Sequence, residues 1–194
     1  SETGGKREGK YVGIFYHTWH SAFAYRDVTN VTELVTKYPE AIRDYNHPAW
    51  EGKTNCFWNE PIYGHYESND QWVLRRQAEL LANAGVDTVF TDNTNGQYTW
   101  RDSYIPLVNT WGQAQRDGVE VPKVSFMLPF AATDDAVAQM KMLYTDIYRD
   151  GKYSSHWFWF EGKPMLMAHQ SKLDKKDGLQ SEIRSFFTFR NNYP

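Results

Sequence analysis

The sequence predicts an α/β fold built on parallel strands. Short apolar, β-prone segments alternate with amphipathic helical segments in the order β-α-β-α-β-α-β, which is typical of parallel strands joined by crossover helices. The chain has 194 residues, 16% of them aromatic, so it can bury a sizeable core. Two architectures fit this pattern. One is an open doubly wound sheet, and the other is a TIM-like (β/α)8 barrel of which this chain holds only the N-terminal part, because a whole barrel typically needs about 250 residues.

The predicted strands are short apolar runs rich in β-branched and aromatic residues, a composition that indicates burial in a sheet. They occupy 11–16, 86–91, 123–128, 157–160 and 164–168. The last two flank Glu161-Gly162-Lys163. A tight turn at this tripeptide predicts a hairpin, with Glu161 as a turn residue.

The predicted helices combine apolar residues at helical spacing with a recognisable start or stop. The clearest helix begins at Asp70 and ends with Gly85 at its C′ position. Thr133 is expected to cap another helix, which ends at Gly151. The remaining helices are predicted over 30–37, from near Pro106 to Gly118, and over 179–190, the last as a helix or the start of one.

Two regions are expected along the chain. Residues 1–10 are polar and glycine-rich and are predicted to form a flexible N-terminal segment. Residues 11–194 are predicted to form one domain, the N-terminal portion of a (β/α) barrel catalytic domain.

No G-x-G-x-x-G follows a predicted strand, so no dinucleotide cofactor is expected.

Charge and composition exclude several classes of protein. Lys and Arg number 21 and Asp and Glu 24, which gives a net charge of −3, so the chain is not a strongly basic nucleic-acid binder. No apolar run approaches the roughly 20 residues of a membrane span. The single cysteine, Cys56, excludes an internal disulfide framework and a multi-cysteine metal site.

Polar and aromatic residues follow the predicted strands where they end. In both candidate architectures the active site lies beyond the carboxyl ends of the strands. The residues found there are His17, Trp19 and His20 after the first strand, Asp92, Asn93 and Asn95 after the second, and His169 after the hairpin. Carboxylates and amides hydrogen-bond hydroxyl groups, and aromatic rings offer apolar faces to sugar C–H groups. This edge of the sheet is therefore predicted to bind a carbohydrate.

The long segment from residue 17 to about 69 is expected to contribute to the same site, because a loop of this length is usually functional. It adds Glu60 and several aromatic rings. Glycoside hydrolysis typically uses two carboxyl groups, one as acid and one as nucleophile or base. We therefore predict Asp92 and Glu60 as catalytic residues. The predicted substrate-binding residues are His17, Trp19, Trp58, Tyr63, Tyr66, Asn93, Asn95 and His169.

Each of these residues also has a structural interpretation. Asp92 at a strand end, with amides close behind it, is typical of an Asx turn. Glu60 fits a solvated loop charge. The rings of the long loop fit packing of that loop onto the sheet, and His17 and His20 fit structural histidines.

A linked series of motifs runs through most of the chain. In order, it comprises Trp58-Asn59-Glu60-Pro61-Ile62-Tyr63-Gly64-His65-Tyr66, Ser68-Asn69-Asp70-Gln71-Trp72-Val73, Ala84-Gly85-Val86-Asp87, Asp92-Asn93-Thr94-Asn95, Gly162-Lys163-Pro164 and Phe186-Phe187-Thr188-Phe189-Arg190. This series resembles bacterial glycoside hydrolases related to glycoside hydrolase families 71 and 99.

The resemblance implies a (β/α)8 barrel, a secreted or periplasmic bacterial enzyme, and an oligosaccharide or polysaccharide substrate. Relatives in these families include endo-acting α-mannosidases and α-1,3-glucanases. In family 99 the catalytic carboxylates lie in the later half of the barrel, outside these 194 residues. The resemblance therefore carries over substrate-lining positions but no catalytic pair, and it implies the remainder of the barrel as a partner.

Two other functions remain open at this stage. The same aromatic residues would serve a carbohydrate-binding domain that performs no chemistry. Alternatively, His17, His20 and Asp92 would serve a metal-dependent α/β hydrolase.

Overall fold

The fold is a mixed α/β structure around a central parallel sheet, as the sequence predicts. The computed structural model describes residues 8–20, 29–53 and 61–192. Its strands are β1 (Gly13–Tyr16), β2 (Thr88–Asp92), β3 (Lys123–Met127), β4 (Trp159–Phe160), β5 (Lys163–Met167) and β6 (Thr188–Arg190).

The α-helices are α1 (Val31–Lys37), α2 (Gln71–Asn83), α3 (Arg101–Arg116), α4 (Asp134–Leu143) and α5 (Gly178–Phe186). A π-helical turn, Tyr144–Tyr148, continues α4, and short 3-10 helices cover Pro39–Ile42, Pro48–Trp50 and Ser154–His156. No described helix is both long enough and apolar enough to cross a membrane.

The parallel strands stand side by side in chain order, β1-β2-β3-β5-β6, and β4 pairs antiparallel with β5. The register aligns Phe15 with Phe90, and Asp92 with Met127. A doubly wound sheet reverses its strand order at a switch point. The described strands show no such reversal, so their order is that of a singly wound sheet.

The larger core formed by the described residues lies on one face of this sheet. It contains residues from α2, α3, α4 and α5 together with alternate strand residues such as Val89, Phe126 and Leu166. Successive strand side chains point to opposite faces, so the helices that supply this core share one face. The register places Phe15 and Phe90 on the opposite face, where the side chain of Phe15 is exposed.

The predicted hairpin is confirmed, and its turn explains why it forms. Glu161 and Gly162 join β4 to β5 with positive φ at both positions, 52° and 78°. This is the backbone of a two-residue type I′ turn, whose twist matches that of the flanking strands. Glu161 is therefore a turn residue, and it also pairs with Arg190 at 2.8 Å.

Two predicted helix boundaries are wrong. The helix expected to start near Pro106 begins at Arg101, so Pro106 lies inside α3, where it cannot donate a backbone hydrogen bond. The segment 179–190 is helical only to Phe186. After it, the β-prone residues of β6 pair with β5, so tertiary pairing overrides the local helical pattern.

The long segment after β1 is more structured than predicted. The described part, 29–53, forms α1 and two 3-10 helices around a small core of Val31, Ala41 and Trp50. The indole of Trp50 donates a hydrogen bond to the Ala41 carbonyl at 2.9 Å. This part of the segment therefore has its own packing.

Replacing Gly13 with valine is expected to destabilise the protein by about 1–3 kcal/mol, because the added side chain overpacks the contact between β1 and β2. A Cβ at Gly13 would collide with the Phe90 ring and lie 3.2 Å from the Thr88 methyl. Urea unfolding measures the loss. In a Phe90→Ala background the same substitution should cost little, and an equal cost there would contradict this explanation.

Candidate carbohydrate site at the carboxyl edge of the sheet

The carboxyl ends of β1 and β2 bring together the residues predicted there. β1 leads into His17, Trp19 and His20, and β2 ends at Asp92. The indole N–H of Trp19 donates to the backbone carbonyl of Asp92 at 2.7 Å. Because this bond uses the polar edge of the indole, it fixes the ring while leaving the apolar faces for packing.

Aromatic side chains form a continuous line across this edge, which we call the aromatic row. Ring centroids are 4.9 Å apart for His20 and His17, 5.0 Å for His17 and Trp19, 5.4 Å for Trp19 and Trp100, and 6.0 Å for Trp100 and Tyr98. Trp19 and Trp100 are stacked, with 28° between their planes. At one end of the row, Tyr98 is 60% exposed.

Trp100 and Tyr98 were not predicted as site residues. Trp100 stands at the N-cap of α3 in a left-handed conformation, with φ 57° and ψ 47°. A bulky residue rarely adopts positive φ, and such strain concentrates at functional sites. The available sequence signal was the presence of two more rings in the connection between β2 and the next helix.

Asp92 is held in a defined orientation beside the aromatic row. Its side chain is nearly buried, at 6% exposure. Its Oδ1 accepts hydrogen bonds from the Thr94 backbone N–H at 3.1 Å and from the Thr94 hydroxyl at 2.7 Å. This is an Asx turn, formed with Thr94. Its Oδ2 accepts no hydrogen bond from the described residues.

Asn93, predicted to bind substrate, instead holds the protein together. It is fully buried, and its Nδ2 donates to the Thr99 carbonyl at 2.9 Å and to Gln139 Oε1 at 3.2 Å. Its Oδ1 accepts from the Thr91 hydroxyl at 3.1 Å. Gln139 in turn donates to the carbonyls of Asn93 and Gly96, both at 2.8 Å. This network ties the 93–99 loop to α4, and the Asn93 amide has no surface for a ligand.

The two histidines of the row favour their neutral forms. Partial burial among the rings lowers the pKa of both His17 and His20, and the nearby His20 lowers that of His17 further. The carboxylate of Asp92 opposes this change at His17. Neutral imidazoles can accept hydrogen bonds from hydroxyl groups at neutral pH.

Lowering the pH from 7.5 to 5.5 is expected to reduce the free energy of unfolding. The pKa values of His17, His20 and also His156 are lowered in the folded chain, whereas in the unfolded chain they are about 6.5. At pH values between the folded and unfolded pKa values, the unfolded chain binds more protons than the folded chain. The contribution of these histidines to stability is therefore fully present above about pH 7 and is lost as the pH falls. Urea unfolding at several pH values measures this. His156→Gln should reduce the slope, and a flat profile in the parent would contradict it.

Tyr63 and Tyr66 lie in the segment before α2. The Tyr66 hydroxyl accepts a hydrogen bond from Gln77 Nε2 at 2.9 Å, and Gln77 Oε1 accepts one from Tyr16. Burial raises the pKa of Tyr16. Tyr63 packs edge-on against Trp72, with centroids 5.1 Å apart. These contacts anchor both predicted residues on α2, and within the described part of the chain neither of them hydrogen-bonds Asp92.

The remaining predicted residues have different outcomes. Asn95 is exposed at the tip of the loop after β2. His169 follows β5, and its Nε2 is buried without a hydrogen-bond partner among the described residues. Glu60 and Trp58 lie outside the residues that the structure describes. In the described ranges, no group of three or more His, Cys, Asp or Glu side chains could hold a metal ion, so the metal-dependent alternative lacks a ligand set there.

Comparison with known proteins finds no matching family model and no matching curated protein. Among solved structures, the chain is similar to two structures of a GH99 endo-alpha-mannosidase from Bacteroides thetaiotaomicron. One of them, in complex with bis-tris-propane, is 17% identical, with 84% of this chain and 43% of that chain covered. The other is 18% identical, with coverages of 83% and 46%. The TM-score is 0.48 in each case, and the chain spans less than half the length of these enzymes.

Proposed function

We propose that the carboxyl edge of this sheet is a sugar-binding site of a glycoside hydrolase. The observation that carries this proposal is the aromatic row lying beside the nearly buried carboxylate of Asp92. Glycoside hydrolysis needs a carboxyl group at the scissile bond and surfaces that hold the sugar rings on either side. This edge provides one such carboxyl group and several ring faces.

We further propose that the sheet is the N-terminal part of a (β/α)8 barrel. A barrel requires parallel strands that follow one another in chain order and helices that cover only one face of the sheet. The described strands and the helices of the large core have this arrangement. In a barrel the face opposite these helices, which includes Phe15 and Phe90, would point to the interior. The secreted or periplasmic location implied by the family resemblance stays a prediction.

The residues of the site would have distinct roles. Trp19 and the exposed Tyr98 would place ring faces against sugar C–H groups, as amphipathic aromatic residues do in binding sites. The buried Trp100 would hold both rings in place. The neutral imidazole of His17 and the exposed amide of Asn95 would exchange hydrogen bonds with hydroxyl groups. Asn93 is left out of this set because its amide is used within the protein.

Asp92 would act directly on the glycosidic bond. With Oδ1 fixed by Thr94, Oδ2 is the oxygen that would transfer a proton or attack the anomeric carbon. A second carboxyl group must take the complementary role. Glu60 is the proposed partner, on the sequence argument alone.

A carbohydrate-binding domain without hydrolysis is the second candidate. The specific observation in its favour is the Asx turn, since an aspartate that accepts two hydrogen bonds from Thr94 already has a structural role. In this case the aromatic row would bind sugar and Asp92 would only shape the loop.

Two assays on the 194-residue chain distinguish these functions. Reducing-sugar release from a panel of α- and β-linked polysaccharides tests hydrolysis, and native affinity electrophoresis in the same polysaccharides tests binding. Release supports the hydrolase. Retardation without release supports the binding domain. If neither occurs with any member of the panel, both proposals are contradicted.

A matched pair of substitutions assigns any binding to the aromatic row. Trp19→Ala is expected to raise the dissociation constant for the polysaccharide about tenfold, because it removes a ring face. Trp19→Phe, which keeps an aromatic face, should retain most of the affinity. Equal affinity in the parent and in Trp19→Ala would place the binding elsewhere.

The barrel proposal predicts concentration-dependent self-association of the chain. Among the described strands, β1 pairs only with β2, and β6 only with β5, so both outer edges carry unpaired backbone groups that readily add further strands. Sedimentation velocity over a hundredfold range of concentration measures this. A strict monomer throughout would count against an open barrel segment.

A further inference from the structure

The amino edge of the sheet, opposite the aromatic row, contains a cavity of about 550 Å³. It is lined by residues that precede β1, β2 and β3, by the ends of α2 and α3, and by β4. β2 alone is five residues long, which at about 3.3 Å per residue separates the two edges by about 15 Å. The cavity is therefore distinct from the site described above.

Two exposed aromatic rings border this cavity. Trp159 is 49% exposed and Tyr11 is 54% exposed. The indole N–H of Trp159 donates to the Ser154 carbonyl at 3.0 Å, so its polar group is already used. Tyr11 packs edge-on against Phe158, with centroids 5.1 Å apart. Both rings are thus held in place by the protein while much of their surface meets solvent.

The backbone next to Tyr11 is also fixed. The Val12 N–H donates to Asp87 Oδ2 at 2.8 Å, and the carbonyl of Val12 accepts from the N–H groups of Asp87 and Thr88. This attachment holds the segment before β1 against the start of β2. The cavity is therefore pre-formed, which lowers the conformational entropy that a ligand must overcome.

The polar groups in the lining decide which ligand fits. Glu120 and Gln115 line the cavity and are exposed, and their side chains make no hydrogen bond to another described residue. The ammonium group of Lys123 donates to the Ser155 carbonyl at 2.7 Å. The lining thus carries two carboxylates, Asp87 and Glu120, and one cation, Lys123, which is already hydrogen-bonded to the protein. This balance of charge disfavours an anionic ligand.

We infer that this cavity is a second carbohydrate-binding site, which takes a neutral sugar unit of an oligosaccharide or polysaccharide. A purely apolar ligand would bury Glu120 and Gln115 without partners, which is costly. A sugar offers hydroxyl groups to both and C–H faces to Trp159 and Tyr11. The inference shares its ligand class with the proposed function, but it requires no hydrolysis.

Native affinity electrophoresis of the 194-residue chain in the polysaccharide panel tests the inference. The assay is run in the Trp19→Ala background to weaken binding at the opposite edge. Adding Trp159→Ala is expected to lower the remaining affinity about tenfold, and adding Glu120→Gln severalfold. The matched control is Tyr45→Ala, which removes a ring that is 66% exposed and lies outside the cavity lining. Circular dichroism and thermal unfolding verify that each variant is folded.

The outcomes separate this site from the proposed function. Affinity that falls with Trp159→Ala and Glu120→Gln but not with Tyr45→Ala supports the second site, even where no reducing sugar is released. The second site is overturned if the Trp19→Ala chain and both cavity variants bind with equal affinity. It is also overturned if no polysaccharide retards the Trp19→Ala chain. Hydrolysis lost in Asp92→Asn but retained in Tyr45→Ala supports the proposed function independently.

Discussion

Replacing Asp92 with asparagine is expected to lower the rate of glycosidic bond cleavage by about a thousandfold, within the range for loss of a general acid or base. Asparagine can neither ionise nor transfer a proton. Its side-chain oxygen can still accept the two hydrogen bonds that Thr94 donates to Asp92, so the turn should persist. The measurement is kcat for reducing-sugar release from whichever polysaccharide the parent cleaves.

A matched variant separates the chemical role of Asp92 from its structural one. Thr94→Val removes the hydroxyl donor, at 2.7 Å from Oδ1, but keeps the carboxylate. It should change kcat by less than about tenfold. A rate close to that of the parent in Asp92→Asn would contradict the catalytic role. An equally large loss in Thr94→Val would indicate that the turn, and not the carboxylate, limits the rate.

Replacing Asn93 with aspartate is expected to destabilise the protein by about 3–5 kcal/mol at pH 7, because it leaves an unpaired buried charge. Asn93 is fully buried. Its amide donates to the Thr99 carbonyl and to Gln139 Oε1, and a carboxylate would face these two oxygens with no hydrogen to offer. Urea unfolding at pH 7 measures the loss.

The same substitution two residues later is the control. Asn95 is exposed, so Asn95→Asp should change stability by no more than about 0.5 kcal/mol. The penalty of Asn93→Asp should also shrink in acid, where the introduced carboxyl is protonated. A cost below about 1 kcal/mol would contradict the role assigned to the buried network. Because that network holds the loop between Asp92 and Trp100, its loss should also weaken sugar binding.

The contrast between Asn93 and Asn95 shows where prediction of the site from sequence stops. Both are asparagines just after β2, and sequence reasoning gave both the same role. The partner that separates them is Gln139, which lies on α4 and is hydrogen-bonded to Asn93 across 46 positions of the chain. No local pattern carries that information. The aromatic row has the same character, since Trp19 and Trp100 meet only when β1 pairs with β2.

The sequence by itself determined the features that depend on neighbouring residues. Asp70 and Thr133 cap α2 and α4 by accepting hydrogen bonds from Val73 and Ala136 N–H groups, and the positive φ of Gly85 ends α2. Capping, helical periodicity and turn geometry act within a few residues, so they can be read along the chain.

Only the tertiary structure decided how these elements meet. The order β1-β2-β3-β5-β6 distinguished a singly wound sheet from a doubly wound one, and pairing with β5 turned the end of the last predicted helix into β6. The tertiary structure also placed Asp92 beside the aromatic row and buried Asn93. The physical reason is that strand pairing and side-chain burial are set by residues far apart in sequence, whose contacts form only when the whole sheet assembles.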